Sequence, residues 1–143
     1  MIKSSEIIRI GSILSVDHIG YAVKEMASAR EQFMALGFTF KDEKVDELRN
    51  VNVSVGENQG IRIELLSPVK GERSPIDGYL QKIGSTPYHI CYRVDNMDTA
   101  IEELRYQGFT LMGYPDCSVP LGGKVCFLYS SELGIVELID YEK

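Results

Sequence analysis

Histidine is scarce in this chain, with two copies among 143 residues. Cysteine is little commoner: Cys91, Cys117 and Cys126 are odd in number and form no CxxC pair. Such a set excludes a disulfide framework and a thiolate zinc site, and fits reduced thiols. No apolar run is long enough for a membrane span, and the N-terminus lacks the basic-then-apolar order of a signal peptide. The expectation is a cytoplasmic protein with no membrane partner. Basic runs are also missing. A formal net charge of −6 and a pI of about 4.9 exclude a scaffold for nucleic acid, whose affinity rests on clustered Lys and Arg. There is no serine nucleophile elbow and no dinucleotide fingerprint. "PLGGKV" (120–125) lacks the spacing of a phosphate loop and reads as a hairpin or active-site loop, while "KDEKVDE" (41–47) reads as a solvated turn.

What is present is an ordinary globular composition, 44% hydrophobic and 25% charged, and an internal repeat. A shift of 71 positions lays residues 16–40 on 87–111 without a gap. Identical pairs are His18/His89, Ile19/Ile90, Tyr21/Tyr92, Val23/Val94, Met26/Met97, Ala29/Ala100, Glu31/Glu102, Gly37/Gly108, Phe38/Phe109 and Thr39/Thr110. Each copy opens on a strand with Ile, Tyr and Val along one face and the histidine on the other. A helix follows, with Met26, Ala29, Phe33 and Leu36 in one copy and Met97, Ala100, Ile101 and Leu104 in the other at helical spacing. Gly37 and Gly108 sit where a helix end wants a left-handed residue. "VNVSVG" and "IRIELLSP" complete the first copy as strands, "GKVCFLYS" and "GIVELIDY" the second. The chain 1–143 thus reads as a single α+β domain: module one over about 16–73, a linker helix over about 74–84, and module two over about 85–143.

The repeat resumes late in each half, where "IRIELL" matches "IVELID" at a shift of 73 and sets Glu64 against Glu137. Each half supplies one histidine early and one glutamate late. A lone histidine in a strand is usually a packing residue, but a duplicated module has no structural need to keep both pairs. A glutamate buried among Ile and Leu is costly without a partner. Two imidazoles and two carboxylates brought together make a set suited to a divalent first-row metal. Cys91 shares the face of His89 and is read as a small core filler.

Two strand–helix–strands modules, each with an early His and a late Glu, resemble the vicinal oxygen chelate superfamily, over about Val16 to Tyr141. Within it, "IELLSP", "SPIDGYLQKIG", "YHICYRVDNM" and "KVCFLYSSELGIVEL" look most like methylmalonyl-CoA epimerase. The resemblance implies two tandem βαβββ modules forming an open, curved mixed sheet around a metal site. It implies His18, Glu64, His89 and Glu137 as ligands of a divalent ion (Co, Ni, Zn, Mn or Mg). The implied activity is a metal-dependent isomerase that removes a proton α to a carbonyl of a thioester or other small carbonyl substrate, through a metal-stabilised enolate, in a homodimer. Glu137 is the implied base. Counting back sixteen residues from Glu64 to the family's second catalytic glutamate reaches Leu48, with Glu47 beside it as the candidate; the family's paired histidine is here Tyr88 followed by His89. Two alternatives stand beside the epimerase: a glyoxalase I-like lyase acting on a hemithioacetal, which needs only one mobile ligand carboxylate, and a non-catalytic small-molecule-binding protein.

Overall fold

The computed structural model describes residues 11–118 and 120–141. The first half runs β1 (Ile13–Ala22), α1 (Met26–Ala35), β2 (Thr39–Phe40), β3 (Lys44–Asp46), β4 (Val51–Asn58) and β5 (Ile61–Pro68). A short α2 (Asp77–Lys82) links it to β6 (Thr86–Val94), α3 (Met97–Tyr106), β7 (Thr110–Leu111), β8 (Asp116–Ser118), β9 (Gly123–Ser130) and β10 (Gly134–Tyr141). The element order of the first half therefore recurs in the second. All strands join one open mixed sheet in the order β2-β4-β5-β1-β6-β10-β9-β7, with β3 on β4 and β8 on β9. β1 and β6 pair antiparallel at its centre, flanked by β5 and β10, which run parallel to them. Among the described residues no helix is long and apolar enough to cross a membrane.

Local chemistry accounts for the helix ends. The Phe38 N–H reaches back to the Phe33 carbonyl (3.0 Å) and the Gly37 N–H to Met34, while Phe109 and Gly108 repeat this on Leu104 and Arg105. These are paired Schellman closures, and each needs its glycine: φ is +98° at Gly37 and +100° at Gly108. Asn96 caps α3 by accepting the Thr99 N–H.

Met97, Ala100, Ile101 and Leu104 bury the inner face of α3 against Val136, Leu138 and Leu128. That burial, at roughly 1.5–3 kcal/mol for each large side chain, outweighs helix propensities of tenths of a kcal/mol. α1 departs from its expected face. Met26 is buried and Ala29 and Phe33 pack against its cluster, but Leu36 caps the helix at 70% exposure. The linker helix begins at Asp77, not Ser74; Ser74 precedes it, giving its N–H and hydroxyl to the Asp77 carboxylate (2.8 and 2.6 Å). The acidic segment 41–47 is partly a strand, because β3 pairs with β4 and turns Asp46 inward.

Candidate metal centre

β1, β5, β6 and β10 are the four central strands, and each carries one of the four repeated polar residues. Gly20 pairs with Glu64 across β1 and β5, and its repeat equivalent Cys91 pairs with Glu137 across β6 and β10. Alternation then aims His18, Glu64, His89 and Glu137 at one point on the sheet face away from α1 and α3. All four are buried, at 1, 5, 5 and 2% exposure. One ligand atom from each lies within 4.8 Å of the others. His18 Nε2 is 3.1 Å from Glu137 Oε1 and 3.6 Å from Glu64 Oε1; His89 Nε2 is 2.8 and 3.9 Å from the same two atoms.

Yet His18 Nε2, His89 Nε2 and Glu137 Oε1 make no aligned hydrogen bond among the described residues. They converge on a common point more than on one another. Buried polar atoms left so are costly, and a divalent ion bound by two imidazole nitrogens and two carboxylates removes that cost. The donor set fits such an ion.

Glycine at position 20 is a steric necessity. It lies opposite His89, and a Cβ there would run into the His89 ring well inside contact distance. The imidazole thus lies on the strand backbone, a place only glycine leaves open.

The two histidines are held differently. The register slips between Val16 and His18, so Asp17 is a bulged residue and turns inward with His18. Its buried carboxylate faces His18 Nδ1 at 2.7 Å and also accepts the Tyr141 hydroxyl (2.9 Å) and the Arg93 guanidinium (3.1 Å). Burial works to raise the Asp17 pKa, but the His18, Tyr141 and Arg93 bonds prevail and hold it near about 2. Burial likewise opposes charge on His18, and is overcome by Asp17, Cys91, Glu137 and Glu64, which push its proton affinity far above that of an ordinary histidine. Glu137, despite complete burial, is kept well below the usual carboxylate range by His89 and His18. In the second module the bulged position is Tyr88, so His89 has no carboxylate behind it. It stands among Tyr88, Phe127 and His18, and its Nδ1 has no partner among the described residues.

A cavity of about 190 Å³ opens on this cluster. Val51, Val53, Leu66, Ile76 and Phe127 make it largely apolar, while Glu64, His89, Glu137, Asp46, Arg49 and Ser118 supply its polar groups.

The Glyoxalase/Bleomycin resistance protein/Dioxygenase superfamily matches residues 17–127. The chain belongs to that superfamily. Within the superfamily it is 30% identical over 128 residues to the ethylmalonyl-CoA/methylmalonyl-CoA epimerase of Cereibacter sphaeroides, spanning 86% of this chain and 95% of that protein. The crystal structure of methylmalonyl-CoA epimerase from Mycobacterium tuberculosis has the same fold, with a TM-score of 0.84 at 21% identity over 99% of this chain and 97% of that one. A methylmalonyl-CoA epimerase solved with methylmalonyl-CoA and ammonium superposes with a TM-score of 0.80 at 22% identity, over 91% and 96% of the two chains.

Of the residues singled out from sequence in this superfamily member, His18, Glu64, His89 and Glu137 come together; Glu47 does not join them. It is exposed on the turn after β3 and does not line the cavity, and Leu48 is 68% exposed. The buried carboxylate there belongs to Asp46, whose Oδ1 accepts the Leu48 and Arg49 N–H groups and whose Oδ2 accepts Arg49 Nη1 at 2.9 Å. Sequence reading also passed over Asp17, although it directly precedes His18.

Proposed function

We propose that the chain is a metal-dependent epimerase of 2-alkylmalonyl thioesters, close in activity to methylmalonyl-CoA epimerase. The observation that carries this reading is the convergence of His18, Glu64, His89 and Glu137 on one buried point at a small apolar cavity, with the inward atoms of His18, His89 and Glu137 making no hydrogen bond among the described residues. The epimerase names of the relatives support it.

His18, Glu64, His89 and Glu137 would hold the ion. A divalent ion there supplies Lewis acidity toward a carbonyl oxygen and offsets the negative charge that grows as the α-proton leaves. Glu137 is the base on one side of the reacting carbon. Asp46, in place of Glu47, is the acid–base group on the other, since it is buried and lines the same cavity. Three donors already occupy Asp46, which leaves one lone-pair site on Oδ2 for a substrate proton. Val53, Leu66, Ile76 and Phe127 seat the α-substituent and keep water from the exchanging proton. At ~30 Å³ per water the cavity has room for roughly six waters; it takes the acyl head and leaves the nucleotide outside.

The test is proton NMR of methylmalonyl-CoA in D₂O. Loss of the α-proton signal with the purified protein, abolished by a chelator and restored by a divalent metal, is expected. A signal unchanged after reconstitution with cobalt or nickel overturns the epimerase. Turnover of a methylglyoxal hemithioacetal would then support the glyoxalase-type reading, which needs only Glu137.

A further inference from the structure

Arg49 is the one Lys or Arg among the described residues lining the cavity, whose lining also includes three carboxylates, Asp46, Glu64 and Glu137. It joins the two modules. From the turn after β3 it grips Asp46 with Nη1 (2.9 Å) and reaches with Nη2 to Asp116 on β8 of the other half. These partners are unlike. The Asp46 side chain is 8% exposed and also fastened by backbone N–H groups, whereas the Asp116 side chain is 50% exposed and, among the described residues, is bonded by Arg49 alone. The guanidinium carbon lies 5.7 Å from the centre of the Phe127 ring, and the His89 ring centre lies 5.5 Å from that same point. Arg49 and the histidine cluster therefore flank one aromatic side chain within a single cavity.

We infer that Arg49 is a specificity-determining anchor for a carboxylate on the acyl group, and that Asp116 is a placeholder which the ligand's carboxylate displaces. This rests on the thioester reading of the site. The exchange is electrostatically even, because one carboxylate replaces another on the same guanidinium fork. It is also the exchange that costs least. Asp116 returns to water it already half occupies, while freeing Asp46 would strand a buried charge. An acyl thioester without a carboxylate leaves the triad intact and gains nothing from Arg49.

The test is calorimetric binding to the metal-loaded protein of methylmalonyl-CoA and propionyl-CoA, which differ only by the carboxylate. The shared CoA portion cancels any general change of charge, and binding avoids the effect of Arg49 on Asp46 during turnover. Wild type prefers methylmalonyl-CoA. Arg49→Gln reduces that preference by about tenfold or more, the scale of a lost charge-assisted hydrogen bond, with Arg49→Lys in between because it keeps the charge and loses the fork. Asp116→Asn moves in the opposite sense, strengthening methylmalonyl-CoA binding several-fold and leaving propionyl-CoA unchanged. A merely structural ion pair predicts that Asp116→Asn is neutral or harmful; either result, or an Arg49→Gln protein with its preference intact, overturns the anchor. α-Proton exchange by a wild type with no such preference sinks the anchor and spares the epimerase. The predicted preferences without any exchange do the reverse.

Discussion

His18 Nδ1 and the Asp17 carboxylate lie 2.7 Å apart although the two residues are adjacent on one strand. Regular alternation would put them on opposite faces; the bulge between Val16 and His18 allows the contact. The pair fixes which imidazole nitrogen carries hydrogen and directs Nε2 inward, as carboxylates behind metal-binding histidines do. Asp17→Asn keeps the shape and removes the charge. We expect metal affinity to fall by about 10- to 100-fold with the fold retained, measured by competition against a chromogenic chelator. Unchanged affinity would mean that Asp17 serves packing alone.

Glycine substitutions separate steric from conformational effects. Gly20→Ala pushes on the His89 ring and should cost ~1–3 kcal/mol of stability, as overpacking does, together with bound metal. Gly78→Ala, in α2 with open space around it, should be neutral or stabilising by up to about 1 kcal/mol. Urea unfolding of both variants, with metal content measured alongside, checks the pair.

Replacing His89 by alanine should strip most of the metal while leaving the far-ultraviolet circular dichroism spectrum unchanged, since the substitution leaves every residue of the apolar clusters in place. Full metal occupancy in that variant would remove His89 from the ligand set.

Proton linkage distinguishes the metal-free from the loaded protein. His18 has a raised affinity for protons, so its contribution to metal-free stability is complete below its ordinary value of 6.5 and fades as pH rises beyond it. Glu137 is shifted downward, so its contribution is complete above its ordinary 4.5 and is lost in acid. The chelator-treated protein should therefore be most heat-stable between about these two values. Metal uptake must expel the His18 proton, so the loaded protein gains stability toward higher pH. Melting curves from pH 4 to 9 with and without metal should cross in this sense; parallel curves would show that the cluster neither holds that proton nor exchanges it for metal.

Asp46→Asn should slow α-proton exchange by about 10²-fold or more, the scale of an acid–base group, whereas Glu47→Gln should stay within about twofold of wild type, being exposed and outside the cavity. The reverse order would return the acid–base role to Glu47.

Much of this was legible before any coordinates. The repeat lines up His18 with His89 and Glu64 with Glu137, and the alternation that follows each histidine, with that around each glutamate, puts all four on one face. Gly37 and Gly108 marked the helix ends because the left-handed closure admits few other residues. What escaped the sequence lies where periodicity breaks. A bulge adds one residue to a strand and inverts the facing of its neighbour, which hid Asp17 and gave Tyr88 the matching place. β3 is three residues long and looks like a charged turn, so Asp46 was overlooked in favour of Glu47. Arg49 and Asp116 meet across the two halves, and nothing local in either segment announces the contact.

The bulge residues Asp17 and Tyr88 occupy equivalent positions in the two modules. A half-length ancestor that worked as a pair would have carried one and the same residue at both bulges, and each imidazole would have been held alike. Once the halves share a gene, each copy mutates on its own. In this chain one bulge carries a carboxylate that locks its histidine and the other a phenol that leaves its histidine among aromatic rings, so the two sides of the centre are chemically unlike and can tell left from right.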